Sequence, residues 1–137
     1  MDTIVGEVDS AFEAGTPQTL NGSSYTAIAD GTRSFAFTTP ASAGWLQVDV
    51  GLNSCLPAAT TTLYLQLYDG SLQVGSSQST HLSNVTVNNS AHAHWLVRKT
   101  LTGAVTYTVR ALCNTASIAI TPGADWNVAS WLFQPRW

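Results

Sequence analysis

The stretch His94 to Ile120, HWLVRKTLTGAVTYTVRALCNTASIAI, decides the fold class. Between Ala104 and Leu112, one set of alternate positions carries Val105, Tyr107, Val109 and Ala111. The other carries Ala104, Thr106, Thr108, Arg110 and Leu112. A period of two rich in β-branched and aromatic residues is the signature of a half-buried strand. The run before it sets Trp95, Val97 and Leu101, with Lys99 among them, against His94, Arg98 and Thr100. Gly103 offers the positive φ that a tight reversal uses, and a third short run follows Cys113-Asn114-Thr115. This pattern predicts a β-meander near the C-terminus, and with it an all-β, antiparallel sandwich. Arg98, Lys99 and Arg110 read as outward charges.

Working outward, the same grammar recurs. Thr61–Asp69, TTLYLQLYD, alternates Leu63, Leu65 and Leu67 against Tyr64, Gln66 and Tyr68, and Asp69-Gly70 is a hairpin signal before Leu72 and Val74. Tyr25–Ala29 and Arg33–Thr39 read as a hairpin around Asp30-Gly31, and Trp45–Val50 as a further strand. Residues 51–59 and the Gly/Ser/Gln run 75–80 read as loops, and Leu82, Val85 and Val87 as a short strand. Residues 1–22 form an N-terminal arm or edge segment. Residues 23–137 form one domain of about eight to ten short strands, with turn signals at the ~8–12-residue spacing of a sandwich.

Composition narrows the function classes. Charged residues make up 9% of the chain, against about 25% in an average domain, and Thr, Ser, Asn and Gly take their place. The net charge is −3, and the five cationic residues (Arg33, Arg98, Lys99, Arg110 and Arg136) are scattered. A nucleic-acid partner needs a basic stripe, so none is expected. No run approaches the ~20 apolar residues of a membrane span. The opening MDTIVGEVDSAF has neither the basic region nor the apolar core of a signal peptide, which predicts synthesis in a cytoplasm without export through a signal peptide. There, Cys55 and Cys113 are expected to be unbridged thiols.

The chemistry-bearing residues form few constellations. The eight acids are dispersed, so the paired carboxylates of a glycosidase are not expected, and no nucleophile elbow, P-loop or metalloprotease motif occurs. The reading is a non-enzyme without a cofactor. His92-Ala93-His94 places two imidazoles on one strand face, two ligands where a zinc site uses three or four. Three copies around an axis would supply six nitrogens, so an axial site in a trimer is the one metal candidate. Tyr64 and Tyr68 share a face and could stack on sugar rings, although aromatics also fill cores and interfaces.

The ending is apolar on both faces. Trp126, Val128 and Leu132 lie on one side, and Ala129, Trp131 and Phe133 on the other. A strand buried on both faces needs two covers, and a small sandwich has one core. Trp126, Trp131, Leu132, Phe133 and Trp137 are therefore expected at an assembly interface.

The neutral polar composition, the TYTVRAL…ASIAI pattern and the hydrophobic last strand resemble small jelly-roll modules of tailed-phage virions. These include head decoration proteins, head fibres and tail-fibre tips, similar in shape to tumour-necrosis-factor and C1q folds. The resemblance implies a jelly-roll sandwich that forms homotrimers and joins major capsid or other virion proteins. A receptor- or carbohydrate-binding module of a tail is the alternative it offers.

Overall fold

In the computed structural model, described residues are 4–10 (backbone only), 18–22, 24–28, 35–120 and 127–135. They form eleven strands: β1 Ile4–Ser10, β2 Gln18–Leu20, β3 Thr26–Ala27, β4 Ala36–Thr38, β5 Gly44–Pro57, β6 Thr61–Asp69, β7 Leu72–Leu82, β8 Asn89–Lys99, β9 Thr106–Cys113, β10 Ile118–Ile120 and β11 Asn127–Pro135. No helix occurs among the described residues.

The strands make two antiparallel sheets packed face to face. In the first, β8 pairs with one edge of β5; β10 and β11 run end to end along its other edge, and β2 and β1 pair with them in turn. In the second, β3 and β4 lie end to end against β9, followed by β6 and β7. The hairpin partners sit about equally far from residue 70: Asp69 with Leu72, Thr61 with Leu82, Leu46 with Val97, Phe37 with Tyr107, Ile4 with Phe133. The β6–β9, β5–β10 and β5–β11 pairings join one arm of that hairpin to the next within a sheet. The chain is one long hairpin folded at the Asp69-Gly70 turn and rolled so that successive pairs fall in alternate sheets. That winding is a jelly roll.

Two glycines carry the geometry of this fold point. Gly70 has φ +59° in the turn itself. Gly75 has φ +72°, and a Cβ there would lie 2.9 Å from the Trp95 ring. The β6–β7 register shifts between Leu65 and Leu67, a bulge that pulls carbonyls out of the ladder. Gln66 satisfies them. Its buried amide donates to the carbonyls of Val74 (2.9 Å), Gly75 (3.3 Å) and Leu67 (3.1 Å).

The core follows from the alternation. Leu46, Val48, Val50 and Leu52 of β5, Leu63, Leu65 and Leu67 of β6, and Tyr107, Val109, Ala111 and Cys113 of β9 all point between the sheets. Burying each of the Leu and Val side chains among them is worth about 1.5–3 kcal/mol. Tyr107, Phe37 and Trp131 stack across the sandwich, with ring centroids 5.8 and 5.2 Å apart. Cys55 and Cys113 are buried and free.

Several local expectations are corrected. β8, β9 and β10 are consecutive but never pair with each other, so the segment is not a meander; each crosses to the opposite sheet and finds its partner far away in sequence. Runs 51–57 and 75–80 are strand because β10 and β6 give their backbones ladder partners. Residues 83–88 form no strand; there Asn84 Oδ1 accepts from the amides of Thr86 and Val87 and from the Thr86 hydroxyl. β3 and β4 line up end to end on β9 instead of pairing, while their Asp30-Gly31 connection falls outside the described residues.

Candidate functional site

Pleating presents alternate residues of β8, β5 and β11 on the outer face of the first sheet, and the register stacks them in rows. The rows are Arg98–Trp45–Gln134, Leu96–Gln47–Leu132, His94–Asp49–Ser130 and His92–Gly51–Val128. His92, His94, Leu96, Arg98 and Asp49 are exposed; Trp45, Val128 and Leu132 are half-buried. Leu96 is 61% exposed. Trp45, Leu96 and Leu132 cluster toward one end, interspersed with Arg98, Gln47 and Gln134, and the histidines and Asp49 toward the other. Asp49 and Arg98 are the only fixed charges of the face among the described residues.

The histidine end forms an open groove of about 420 Å³ lined by His92, His94, Asp49, Gly51, Gln78 and Ser130. His94 Nδ1 lies 2.6 Å from Asp49 Oδ1, with both side chains about half exposed. Gln47 donates to the other Asp49 oxygen at 3.3 Å. The outer edge of β8 is closed at His94: the Gln78 amide accepts from the His94 N–H at 2.9 Å and donates to its carbonyl. Trp95 donates to the Ser76 carbonyl at 2.8 Å. These side-chain contacts occupy the edge where another strand could add.

Ser130, Asp49 and His94 share one row, but in the wrong order for a nucleophilic relay. The acid stands in the middle, and with strands ~4.8 Å apart the serine is roughly 10 Å from the imidazole that would have to activate it. A relay needs the imidazole in the centre. No group of three or more His, Cys, Asp or Glu able to hold a metal occurs among the described residues. The two histidines do share one outward face, as their spacing predicts.

The outer face of the second sheet is already occupied. Tyr68 is 7% exposed. Tyr25 packs edge-on to it at 5.8 Å, and the Arg110 guanidinium covers its face at 4.3 Å. Gln73 donates to its hydroxyl at 3.2 Å, and Arg110 is tied to the Gly70 carbonyl at 2.9 Å. Tyr68 therefore offers no free face to a sugar ring, which corrects that expectation. Tyr64 remains half-buried on the same strand.

The apolar ending divides the same way. Phe133 is wholly buried in the protein's own core, and Trp131 packs inward on Phe37. Phe133 is a core residue and the partly buried Trp131 packs against that core, a correction to the interface expectation; Leu132 alone of the described ones faces outward. Trp126 and Trp137 lie outside the described residues. Lys99 is a further correction: it points inward and is 3% exposed. Its ammonium donates to the carbonyls of Ser42 (2.6 Å), Leu101 (2.6 Å) and Gly103 (2.7 Å) and sits 5.8 Å from the Phe133 ring. Burial lowers its pKa, with Asp69 pulling the other way. In sequence, only its place among Trp95, Val97 and Leu101 signals this role; Trp45 and Leu96 carry no signal as a surface pair.

Compared with known proteins, the chain matches no family model and no curated protein sequence.

Proposed function

We propose that the protein is a non-enzymatic structural subunit of a virion, a bacteriophage capsid decoration protein that assembles as a homotrimer and braces or decorates the particle. Its partners are its own copies and the major capsid or another virion protein; no nucleic acid or membrane is involved. The observation that carries the reading is the outer face of the first sheet, where Trp45, Leu96 and Leu132 stand together and the described residues carry only Asp49 and Arg98 as fixed charges. Apolar area on such a face yields about 25 cal/mol per Å² when covered, and depletion of charge is what distinguishes interface cores from ordinary surface. The phage assignment rests on the jelly-roll winding together with the neutral polar composition.

Sedimentation equilibrium tests it directly. A trimer is expected, dissociating in Trp45→Ser/Leu96→Ser; a monomeric parent protein overturns the trimer. Co-sedimentation with emptied capsids, lost in the same double variant, is expected of a decoration protein. Saturable glycan binding lost in Tyr64→Ala, without capsid binding, would replace it by the receptor-module reading.

A further inference from the structure

We infer that His92 and His94 form a two-nitrogen chelate for a borderline divalent transition metal, with Asp49 as the positioning residue behind His94. The site belongs to one chain and does not depend on the assembly reading. It also differs from an axial ion shared by three copies, because its orienting group and its groove come from the same subunit.

The geometry supports each part. Residues two apart on a strand are roughly 7 Å apart along one face, a separation that two imidazoles span by converging on one ion at about 2.0–2.1 Å. β8 holds both outward and exposed, on backbone that is paired to β5 on one edge and capped by Gln78 on the other. Asp49 reaches His94 through Nδ1 at 2.6 Å. A neutral His94 then donates Nδ1–H to the carboxylate and keeps the Nε2 lone pair for a ligand. Metal-bound histidines are oriented in this way by a carboxylate on the far nitrogen. Asp49 is thus behind the ring and not itself a ligand.

His92 gains its place from Gly51 across the ladder. A Cβ on Gly51 would lie 3.5 Å from His92 Cε1 and Nδ1, so the ring rests over the bare backbone of β5. Ser130 and Gln78 line the rest of the groove, and water completes the coordination. Two imidazoles without a thiolate select Cu²⁺, Ni²⁺ and Zn²⁺ over Mg²⁺ or Ca²⁺, with Cu²⁺ bound tightest.

Calorimetric titration of the full chain with Cu²⁺ and Ni²⁺ is the test. One ion per chain is expected, with two-nitrogen coupling in the Cu²⁺ electron paramagnetic resonance spectrum. His92→Gln and His94→Gln should each abolish that signature, while His81→Gln, on β7, leaves it intact. Asp49→Asn should weaken binding by about tenfold or more while the two-nitrogen spectrum persists, with partial recovery in Asp49→Glu. One ion per three chains, or binding that survives both histidine substitutions, overturns the site. Undiminished affinity in Asp49→Asn overturns the positioning role. Since ion stoichiometry and oligomer mass are read separately, failure of the chelate leaves the assembly reading standing, and the reverse.

Discussion

The two outer faces of this roll are built from the same alternating strands, yet the described residues cover the centre of one and leave much of the other exposed. On the second sheet, Tyr68 is buried under Tyr25, Arg110 and Gln73, and Gln66 is buried with its amide on the carbonyls of Leu67, Val74 and Gly75. On the first, His92, His94, Leu96 and Arg98 stand exposed around Asp49. Both faces carry aromatic and polar side chains, so composition does not separate them. What separates them is whether a neighbouring element supplies a cover. The β6–β7 bulge gives Gln66 work to do in the second sheet, and β3 brings Tyr25 over Tyr68. Nothing comparable among the described residues crosses the β8–β5–β11 face.

The sharpest way to probe the contrast is along β11, where adjacent residues belong to the two environments. Phe133→Ala should cost about 3–5 kcal/mol in urea unfolding, as large-to-small core changes do. Leu132→Ser, one residue away on the open face, should cost roughly 1 kcal/mol or less in a dissociated chain. Equal costs would mean that the outward side of β11 is not free.

Next in size is the covered face. Tyr68→Ala removes the ring on which Tyr25 and Arg110 rest, with an expected loss of about 2–4 kcal/mol. Loss of glycan binding without loss of stability would contradict its structural role.

Alkaline pH reads the interior. Burial pushes the Cys55 thiol from 9.0 up to about 12 and the Tyr107 phenol from 10.0 up to about 12, Asp69 adding to the latter. A raised folded-state pKa means that the unfolded chain releases its proton first. The stability these groups contribute is complete below pH 9 and is lost as pH climbs from there toward about 12. Melting temperature should fall through that window, and Cys55→Ala should delay the onset.

The smallest expected effect is Leu96→Ser. On the open face it should change unfolding free energy by less than about 0.5 kcal/mol while shifting sedimentation toward monomer. A large loss of stability would assign Leu96 to the fold and not to assembly.

How far the sequence carries the fold can be judged from particular residues. Strand character was legible where the apolar alternation runs unbroken: Val105 to Ala111 and Leu63 to Leu67 point inward as their spacing predicts. The mostly buried run 51–57, interrupted by Asn53, Ser54 and Pro57, reads instead as a loop. The Asp69-Gly70 turn was legible too, because a positive φ demands a particular residue there. The exposed strand at 75–80 was not, since its Gly, Ser and Gln carry no apolar period and the β6 ladder alone extends it. Of the candidate site, the shared face of His92 and His94 was visible in the spacing. Asp49, the partner of His94, was not, lying 45 residues from it, and neither was the inward turn of Lys99.

By itself, then, the sequence determined that this is an all-β sandwich, that a turn falls at Asp69-Gly70 and which residues share a side of the most regular strands, because period and backbone dihedrals are local properties. Which strands are neighbours was decided only in three dimensions. The side of β8, β5 and β11 left open, the burial of Tyr68, Phe133 and Lys99, and the meeting of His94 with Asp49 all depend on register between segments far apart in the chain. A period of two says which way a side chain points, and only the partner strand says what it meets.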